Sequence, residues 1–350
     1  MERVLDGLGT PSGLVGSLTA VRGLTVGHAQ RVTDGWRTGV TVVLAPPGGA
    51  VGGVDVAGGA PGTRETDLLD PRNAIERVHA VVLTGGSAFG LAAADGVMRR
   101  LADAGVGFPV PVGVVPIVPG ATIFDLGRGG AVPAARAVPG PDLGALAYDS
   151  ATAGPVAGGT VGAGTGAVSG GLAGGVGSGA TVLSDGTTVA ALAVVNSAGG
   201  AVDPRTGRLH GDLDRVFPEP DAERLAAWRR RPAHPFDGTL PGLGQSLGFG
   251  LNTTIGVVAT DAALTKAGCS RLASCAQDGL ARAVRPAHLM VDGDTVFALA
   301  TGDRPVDDVN PLLAAAADVF AHAVADAVYH ATGFPGLPTY TELLLGHPAR

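Results

Sequence analysis

One stretch decides how this chain folds: Gly250-Leu251-Asn252-Thr253-Thr254-Ile255-Gly256-Val257-Val258-Ala259-Thr260-Asp261. A polar Asn-Thr-Thr triplet leads directly into β-branched and small apolar residues, a pattern that predicts a buried strand. Two hydroxyl groups therefore lie where the strand begins. Most hydroxyls in such a place simply satisfy the start of a strand. One of them could instead be a nucleophile that is enclosed within the chain and released by self-cleavage, and the rest of the sequence favours this second interpretation.

The composition indicates a compact, turn-rich α/β protein. The chain has 350 residues, enough for one large domain or two ordinary ones, and 58 of them are glycines. The glycines alternate with Val, Ala, Leu and Thr in strand-like runs, which favours a packed sheet protein over a flexible low-complexity chain. The net charge is −7 and the sequence has no large basic cluster, which argues against nucleic acid as a partner.

Several further features bear on location. No uninterrupted apolar stretch reaches about 18 residues, so no membrane span is predicted. Residues 1–6 lack the basic-then-apolar order of a signal peptide. Cys269 and Cys275 lie on different faces of a predicted helix, so we expect them to stay unpaired. Two free thiols are typical of a reducing compartment, and we expect the protein to be cytoplasmic.

Strand and helix patterns alternate along the chain. We predict strands at 24–28, 39–44, 78–83, 188–195, 254–260, 287–291 and 295–301, and helices at 88–102, 262–283 and 309–332. The glycine-rich residues 48–62 are expected to lie against a partner strand or a site, and 203–248 to form an exposed connector. After Asn252 the order of elements predicts a self-contained half with a hairpin.

A glycine-rich turn, Thr84-Gly85-Gly86-Ser87, stands between a predicted strand and a predicted helix. This arrangement is a good geometry for binding an anion through backbone N–H groups. The turn lacks both the P-loop pattern and the dinucleotide-binding pattern, so we do not expect a nucleotide. The eight histidines show no H-x-x-x-H spacing, and no set of metal ligands is evident. We therefore expect neither a metal nor another cofactor.

Four separated motifs carry a resemblance to a known family. They are Gly62-Thr63-Arg64-Glu65-Thr66-Asp67, Thr84-Gly85-Gly86-Ser87-Ala88-Phe89-Gly90-Leu91, Val161-Gly162-Ala163-Gly164-Thr165-Gly166, and Asn252-Thr253-Thr254 with Ala259-Thr260-Asp261. In this order they resemble the L-aminopeptidase/D-esterases, β-peptidyl aminopeptidases and nylon-oligomer (6-aminohexanoate-oligomer) hydrolases. The resemblance extends from about residue 20 to residue 332.

The resemblance implies an inactive precursor that cuts itself to expose an N-terminal Ser or Thr nucleophile. It also implies one domain, 1–350, folded as a four-layer αββα sandwich like that of N-terminal-nucleophile hydrolases. The cut would fall between Asn252 and Thr253, giving an α-part of residues 1–252 and a β-part of residues 253–350. The aminopeptidases usually have Gly-Ser at this point, so the Asn-Thr-Thr resembles the nylon-oligomer hydrolase branch.

Three further site residues follow from the resemblance. Asn196 matches an asparagine that polarises the scissile carbonyl, although alone it would be an ordinary strand-end residue. Asp292 and Asp294 match an acidic pair of the nylon-oligomer hydrolases, although Asp-Gly alone favours a hairpin turn. For Asp292-Gly293-Asp294 we predict both the turn and the catalytic role.

One position departs from the family pattern. The catalytic-site lysine of the nylon-oligomer hydrolases falls in register with Gly171. The lysine of this chain, Lys266, lies elsewhere in the sequence.

The sequence thus predicts a self-processing N-terminal threonine amide hydrolase that forms its acyl-enzyme on Thr253. Its substrates would be short peptide-like molecules or ω-amino-acid oligomers such as 6-aminohexanoate oligomers. An aminopeptidase acting on α- or β-peptides by the same mechanism is an alternative. A catalytically decayed small-molecule-binding protein is another, which Gly171 favours. The family resemblance implies a homo-oligomer, a tetramer of α/β units.

Overall fold

The computed structural model describes residues 16–131, 133–230 and 252–348. Its strands are β1 (Thr25–Arg31), β2 (Thr38–Leu44), β3 (Ala50–Val56), β4 (Thr63–Arg64), β5 (Arg77–Val78), β6 (Ala80–Thr84), β7 (Phe108–Val110), β8 (Gly113–Val115), β9 (Gly120–Thr122), β10 (Val168–Ser169), β11 (Leu172–Ala173), β12 (Gly175–Val182), β13 (Thr188–Asn196), β14 (Thr253–Ala262) and β15 (Thr295–Arg304). Its α-helices are α1 (Ser87–Gly90), α2 (Ala93–Asp103), α3 (Pro141–Asp149), α4 (Ala222–Arg229), α5 (Lys266–Ala283) and α6 (Asn310–Tyr329).

Most of the strands form two sheets. One has the order β1-β2-β6-β9-β4 and the other the order β12-β13-β14-β15-β3-β5. The pairs β6–β9 and β14–β15 are parallel, and the other neighbours are antiparallel. Two short hairpins, β7–β8 and β10–β11, lie outside these sheets.

The strand β13 shows how the layers are built. Successive side chains of a strand point to opposite faces. Ala190, Leu192 and Val194 therefore join the core between the two sheets. The alternate residues, such as Ala191 and Ala193, pack into the core with α5 and α6. A strand buried on both faces has no polar face, which explains its continuous apolar sequence.

The remaining layer covers the five-stranded sheet. Val40, Val42 and Val82 of this sheet pack against Val97 of α2 and Ala147 of α3. The order of layers is therefore α2 and α3, the five-stranded sheet, the six-stranded sheet, then α5 and α6. The predicted αββα sandwich is confirmed.

The chain after Asn252 does not form a self-contained half. Its strands β14 and β15 lie in the middle of the six-stranded sheet, between β13 and β3, which precede them in the chain. They run parallel and are joined through α5, and β15 pairs with β14 and β3 instead of forming the predicted hairpin with 287–291. The sequence prediction was wrong because each strand finds its second partner earlier in the chain.

The predicted strand at 287–291 is also wrong. The chain from Val284 to Asp294 is irregular, apart from isolated bridges at Arg285 and Asp292. Pro286 has no N–H to donate to a neighbouring strand. His288 adopts φ +59°, a left-handed conformation that no extended strand contains.

Two other elements need comment. By length and composition α6 is apolar enough to cross a membrane, but 72% of its most apolar window is buried. It packs on β12, β13 and α5 as a core helix. The first part of the predicted connector contains α4, and residues 231–248 of it lie outside the described residues.

Candidate active site

The start of β14 brings a hydroxyl against the carbonyl that precedes it. The Thr253 hydroxyl donates to the carbonyl oxygen of Asn252 at 2.5 Å. The same oxygen accepts the N–H of Gly293 at 3.1 Å. Both Asn252 and Thr253 are buried. A hydroxyl, a carbonyl and a backbone donor to that carbonyl therefore meet at one peptide bond.

The glycine-rich loop after β3 encloses Asp292-Gly293-Asp294. Ala60 donates its N–H to the carbonyl of Asp292 at 2.8 Å. A Cβ on Gly58 would lie 2.4 Å from that carbonyl oxygen, and a Cβ on Gly293 would lie 2.8 Å from the Thr253 hydroxyl. Residues 48–62 were expected to lie against a partner strand or a site: 50–56 form β3 between two partner strands, and the loop after it lies against Asp292 and Gly293. Glycine is required on both sides because the backbones nearly touch.

Asp294 joins three donors. Its Oδ1 accepts the N–H of Thr254 at 2.8 Å. Its Oδ2 accepts the backbone N–H of His288 at 3.1 Å and lies 2.9 Å from Nδ1 of the same residue. The carboxylate is thus fixed directly behind the residue that follows Thr253.

Asp292 is held differently. Its Oδ2 accepts the N–H of Leu289 at 2.9 Å, whereas its buried Oδ1 has no hydrogen-bond partner among the described residues. Burial, and next the charge of Asp294, raise the pKa of Asp292 to about 6. A carboxyl group with that pKa can carry a proton near neutral pH.

Asn196 lies beside Thr253 in the sheet. It is paired in register with Thr253 between β13 and β14 and is fully buried. Its Oδ1 accepts the N–H of Val168 at 3.0 Å, and its Nδ2 donates to the carbonyl of Phe124 at 3.3 Å. One of the two amide hydrogens is used in that bond, and the amide plane is fixed.

The hydroxyl of Thr254 does not bond the backbone as expected of a strand residue. It is fully buried and has no hydrogen-bond partner within the described part of the chain. Thr254 contacts the acidic pair through its backbone N–H, which donates to Asp294.

A cavity of about 180 Å³ lies at Thr253. Two of the sequence motifs meet there, because Gly62 and Ser87 both line it. Apolar groups line most of the remainder, among them Pro61, Phe124 and Val291. Ser87 adopts φ +52° at the start of α1, a strained conformation for a serine.

The turn at Thr84-Gly85-Gly86-Ser87 is not an anion site. The N–H of Gly86 donates to Oδ1 of Asp125 at 2.6 Å, and the N–H of Ser87 donates to the carbonyl of Ile123. The carboxylate that the turn binds belongs to the protein itself. Burial raises the pKa of Asp125 to about 6.

Gly171 and Lys266 occupy separate structural positions. Gly170 and Gly171, with φ of +54° and +80°, form the two-residue turn between β10 and β11. A lysine at Gly171 would therefore be strained. Lys266 donates to the carbonyls of Leu68 at 3.0 Å and Asn73 at 2.8 Å, so it holds the loop after β4.

The third family motif, Val161 to Gly166, is structural. A Cβ on Gly164 would lie 2.6 Å from the backbone of Gly175, and one on Gly162 would lie 2.4 Å from the hydroxyl of Thr41. The motif lets a short 3₁₀ turn fit between the sheets.

Sequence reasoning missed three residues near the site: Gly293, His288 and Asp125. Gly293 acts through a backbone N–H, which leaves no signature in the residue type. His288 could have been suspected only from its place six residues before Asp294. In the ranges that the structure describes, no group of three His, Cys, Asp or Glu is arranged to hold a metal ion. Cys269 and Cys275 are both unpaired, as expected.

The sequence of this chain is similar to a peptidase family over most of its length. Residues 16–341 match the model of Peptidase family S58. An uncharacterized aminopeptidase of Mycobacterium tuberculosis is 49% identical over 356 residues, which cover 94% of this chain and 98% of that protein. An uncharacterized aminopeptidase of Mycobacterium leprae is 48% identical over 360 residues, covering 94% of each chain.

Solved structures share the fold. A Burkholderia sp. beta-aminopeptidase aligns with a TM-score of 0.67 at 24% identity, covering 93% of this chain and 90% of that one. The L-aminopeptidase D-Ala-esterase/amidase of Ochrobactrum anthropi aligns with a TM-score of 0.69 at 21% identity, covering 95% and 93%. The latter is described as a prototype for the serine aminopeptidases and a new variant of the Ntn hydrolase fold.

Proposed function

Because the chain belongs to Peptidase family S58, a family of peptide-bond hydrolases, we propose that it is a self-processing amide hydrolase whose nucleophile is Thr253. The observation that carries this proposal is the contact of the Thr253 hydroxyl with the carbonyl of Asn252. The N–H of Gly293 on the same carbonyl oxygen supports it, because such a donor stabilises the oxyanion formed by attack.

Self-cleavage proceeds by transfer of the Asn252 acyl group. Thr253 gives its hydroxyl proton to Asp292, directly or through a water molecule, and its oxygen bonds to the carbonyl carbon. The Gly293 N–H stabilises the resulting oxyanion. The C–N bond then breaks as the nitrogen takes the proton, leaving an ester that water hydrolyses. The products are the Asn252 carboxylate and a free α-amine on Thr253.

Turnover uses the new amine. An α-amino group has a reference pKa of about 7.7–8.0 and is partly neutral near pH 7, so it can accept the proton of its own hydroxyl. The hydroxyl oxygen attacks the substrate amide, the amine product leaves with the proton, and water releases the acyl group. We assign the second N–H of the Asn196 amide to the oxyanion of this step.

The substrate class rests on two observations. The curated relatives are named aminopeptidases, and one structural neighbour is a beta-aminopeptidase. The described lining of the cavity is apolar or hydroxyl-bearing apart from the amide of Asn252, and it contains no charged side chain. We therefore propose short, uncharged acyl groups from α-peptides, β-peptides or ω-amino-acid oligomers. The cytoplasmic location and the assembly of α/β units into a homo-oligomer remain proposals.

Sequencing the purified protein tests the assignment. We expect two fragments of roughly 25 and 10 kDa, the smaller beginning at Thr253. Thr253→Ala should remain a folded, inactive single chain, because the hydroxyl is lost. Thr254→Ala, the matched control, should cleave at a similar order of rate. A different N-terminus, or a dead Thr254→Ala, would contradict the assignment of the nucleophile.

A hydrolysis panel with mass detection tests the substrate class. It would compare an aminoacyl-anilide, a β-dipeptide and a 6-aminohexanoate oligomer, with the Thr253→Ala chain as the blank. We expect turnover of at least one. A wild-type chain that stays as one band and hydrolyses none would instead indicate a small-molecule-binding protein on this scaffold.

A further inference from the structure

A histidine lies behind the acidic pair and has no part in the proposed reaction so far. Both Nδ1 and the backbone N–H of His288 contact the same oxygen, Oδ2 of Asp294. The other oxygen of Asp294 holds the N–H of Thr254. Asp294 is nearly fully buried and the His288 side chain is 25% exposed. One carboxylate thus connects a partly accessible imidazole to the residue next to the nucleophile.

The backbone at His288 is shaped for this contact. Its φ of +59° is a left-handed conformation that a residue with a Cβ adopts only when the surroundings require it. This conformation lets the backbone and ring of one residue face one carboxylate oxygen. A strained backbone conformation costs free energy. The two contacts with Asp294 therefore hold His288 in this conformation.

The charges around His288 are acidic. Asp294 touches the ring, and Asp292 and Asp55 act on it from a greater distance. The hydrogen bond with Asp294, followed by attraction to its charge, raises the pKa of His288 above the ordinary value, against the opposing effect of burial. In turn, the charged ring lowers the pKa of Asp292, which burial and Asp294 hold high.

We propose that His288 is a positioning residue, an imidazolium that fixes the Asp294 carboxylate behind Thr254 and leaves Asp292 as the group that exchanges a proton with Thr253. This inference rests on the proposed function. The two carboxylates then have unequal tasks. Each oxygen of Asp294 accepts from at least one donor, whereas Oδ1 of Asp292 is buried and has no hydrogen-bond partner of normal geometry among the described residues. The N–H of Ala198 also acts on the Asp292 carboxyl, but burial and Asp294 outweigh it, so Oδ1 is where a proton can be bound.

The pH profile of self-cleavage, the step in which Asp292 accepts the Thr253 proton, tests this role in freshly purified precursor. His288→Asn keeps an N–H donor near the position of Nδ1 and tolerates a positive φ, but it cannot carry charge. Removing the charge raises the pKa of Asp292, so its basic form is reached only at higher pH. We expect the acidic limb of the rate profile to move up by about 1 pH unit.

His330→Asn is the matched control. Its Nδ1 lies 3.0 Å from Oδ1 of Asp326, and this contact raises the pKa of His330 as well, but the pair lies at the C-terminal end of α6 and does not line the cavity at Thr253. We expect its profile to match that of the unmodified enzyme. A His288→Asn profile superimposed on the unmodified one would overturn the proposal.

A second measurement does not depend on self-cleavage. In the Thr253→Ala chain, the His288 imidazole is titrated by NMR and identified by its loss in His288→Asn. We expect a pKa above 6.5 that falls when Asp294→Asn is added. Titration of His288 at or below 6.5 overturns the proposal, even if the chain cleaves at Thr253. Conversely, a raised pKa in a protein that never cleaves removes the proposed function and leaves the His288–Asp294 pair established.

Discussion

Two turns in this chain contain the same dipeptide and have opposite surroundings. Asp185-Gly186 joins β12 to β13, with Gly186 at φ +83°. The exposed Asp185 side chain accepts the N–H of Thr187, and this hydrogen bond is the main reason why the pKa of Asp185 is lowered. Asp292-Gly293 lies inside the protein, and burial raises the pKa of Asp292 to about 6.

The difference comes from the neighbouring chain rather than from the dipeptide. The strands on either side of Asp185-Gly186 pair with each other, so the turn faces solvent. The chain before Asp292 pairs with no strand, and the segment lies instead between Ala60 and Asn252. The same two residues thus form a hairpin turn in one place and a candidate proton-transfer site in the other.

The largest expected effect separates the two aspartates. Asp292→Asn should slow self-cleavage by about 10²-fold or more, because the proton acceptor is lost. Asp185→Asn should cleave at the unmodified rate. Denaturing gels of each purified chain over time measure the fraction cut. Equal rates for the two variants would exclude Asp292 as the base.

Asp294 and Asp303 allow a second comparison between an aspartate of the candidate site and an aspartate on the surface. Asp294→Ala should also block or slow cleavage, since it releases Thr254 and His288. Asp303, which lies on the surface near Arg22, is the control.

The next largest difference in cleavage rate is expected between alanine substitutions of the two turn glycines, Gly293 and Gly186. A Cβ on Gly293 would lie 2.7 Å from the carbonyl oxygen of Ala60 and 2.8 Å from the Thr253 hydroxyl. Gly293→Ala should therefore slow cleavage roughly 10- to 10²-fold by displacing the reacting groups. Gly186→Ala should lose about 1 kcal/mol of stability from its positive φ and cleave normally. Rates and chemical unfolding of both variants would show whether this contrast holds.

The smallest effect is on stability, and its sign differs between the turns. A raised pKa makes Asp292 stabilise the fold most below pH 3.8, and this contribution is lost as pH rises through about 6. In the uncleavable Thr253→Ala chain, Asp292→Asn should therefore gain stability relative to its parent between pH 4 and pH 7, on the order of 1 kcal/mol. Asp185→Asn should change in the other direction and less, because Asp185 is exposed. Thermal unfolding at both pH values tests the signs.

Part of the fold was accessible from the sequence. The apolar patterns of β13 and β14 predict buried strands, and the helical spacing before Asp103 and after Asn310 predicts α2 and α6 within a few residues. The four layers came from the family resemblance. The central position of β14 and β15 was not accessible, because strand order depends on partners that are distant in the chain.

The residues of the candidate site could be predicted from the sequence only in part. Asn252 and Thr253 came from a motif, Asn196 and the acidic pair came from the family resemblance, and the structure places them together at one end of β14. The donor on the scissile carbonyl was not predictable, since every residue but proline carries an N–H. The binding of the Gly86 N–H by Asp125 was missed because the two lie 39 residues apart.

The six-stranded sheet contains strands from both sides of the Asn252–Thr253 bond, which has a consequence for refolding. If the bond before Thr253 is cut as proposed, two separate chains hold one sheet, with β14 and β15 between strands of the other chain. The precursor folds as a single chain, but a cut molecule that unfolds must find its partner again by collision. Its unfolding midpoint should therefore depend on protein concentration, and recovery after heating should be poor. Maturation would then make the native state one that each molecule reaches only once.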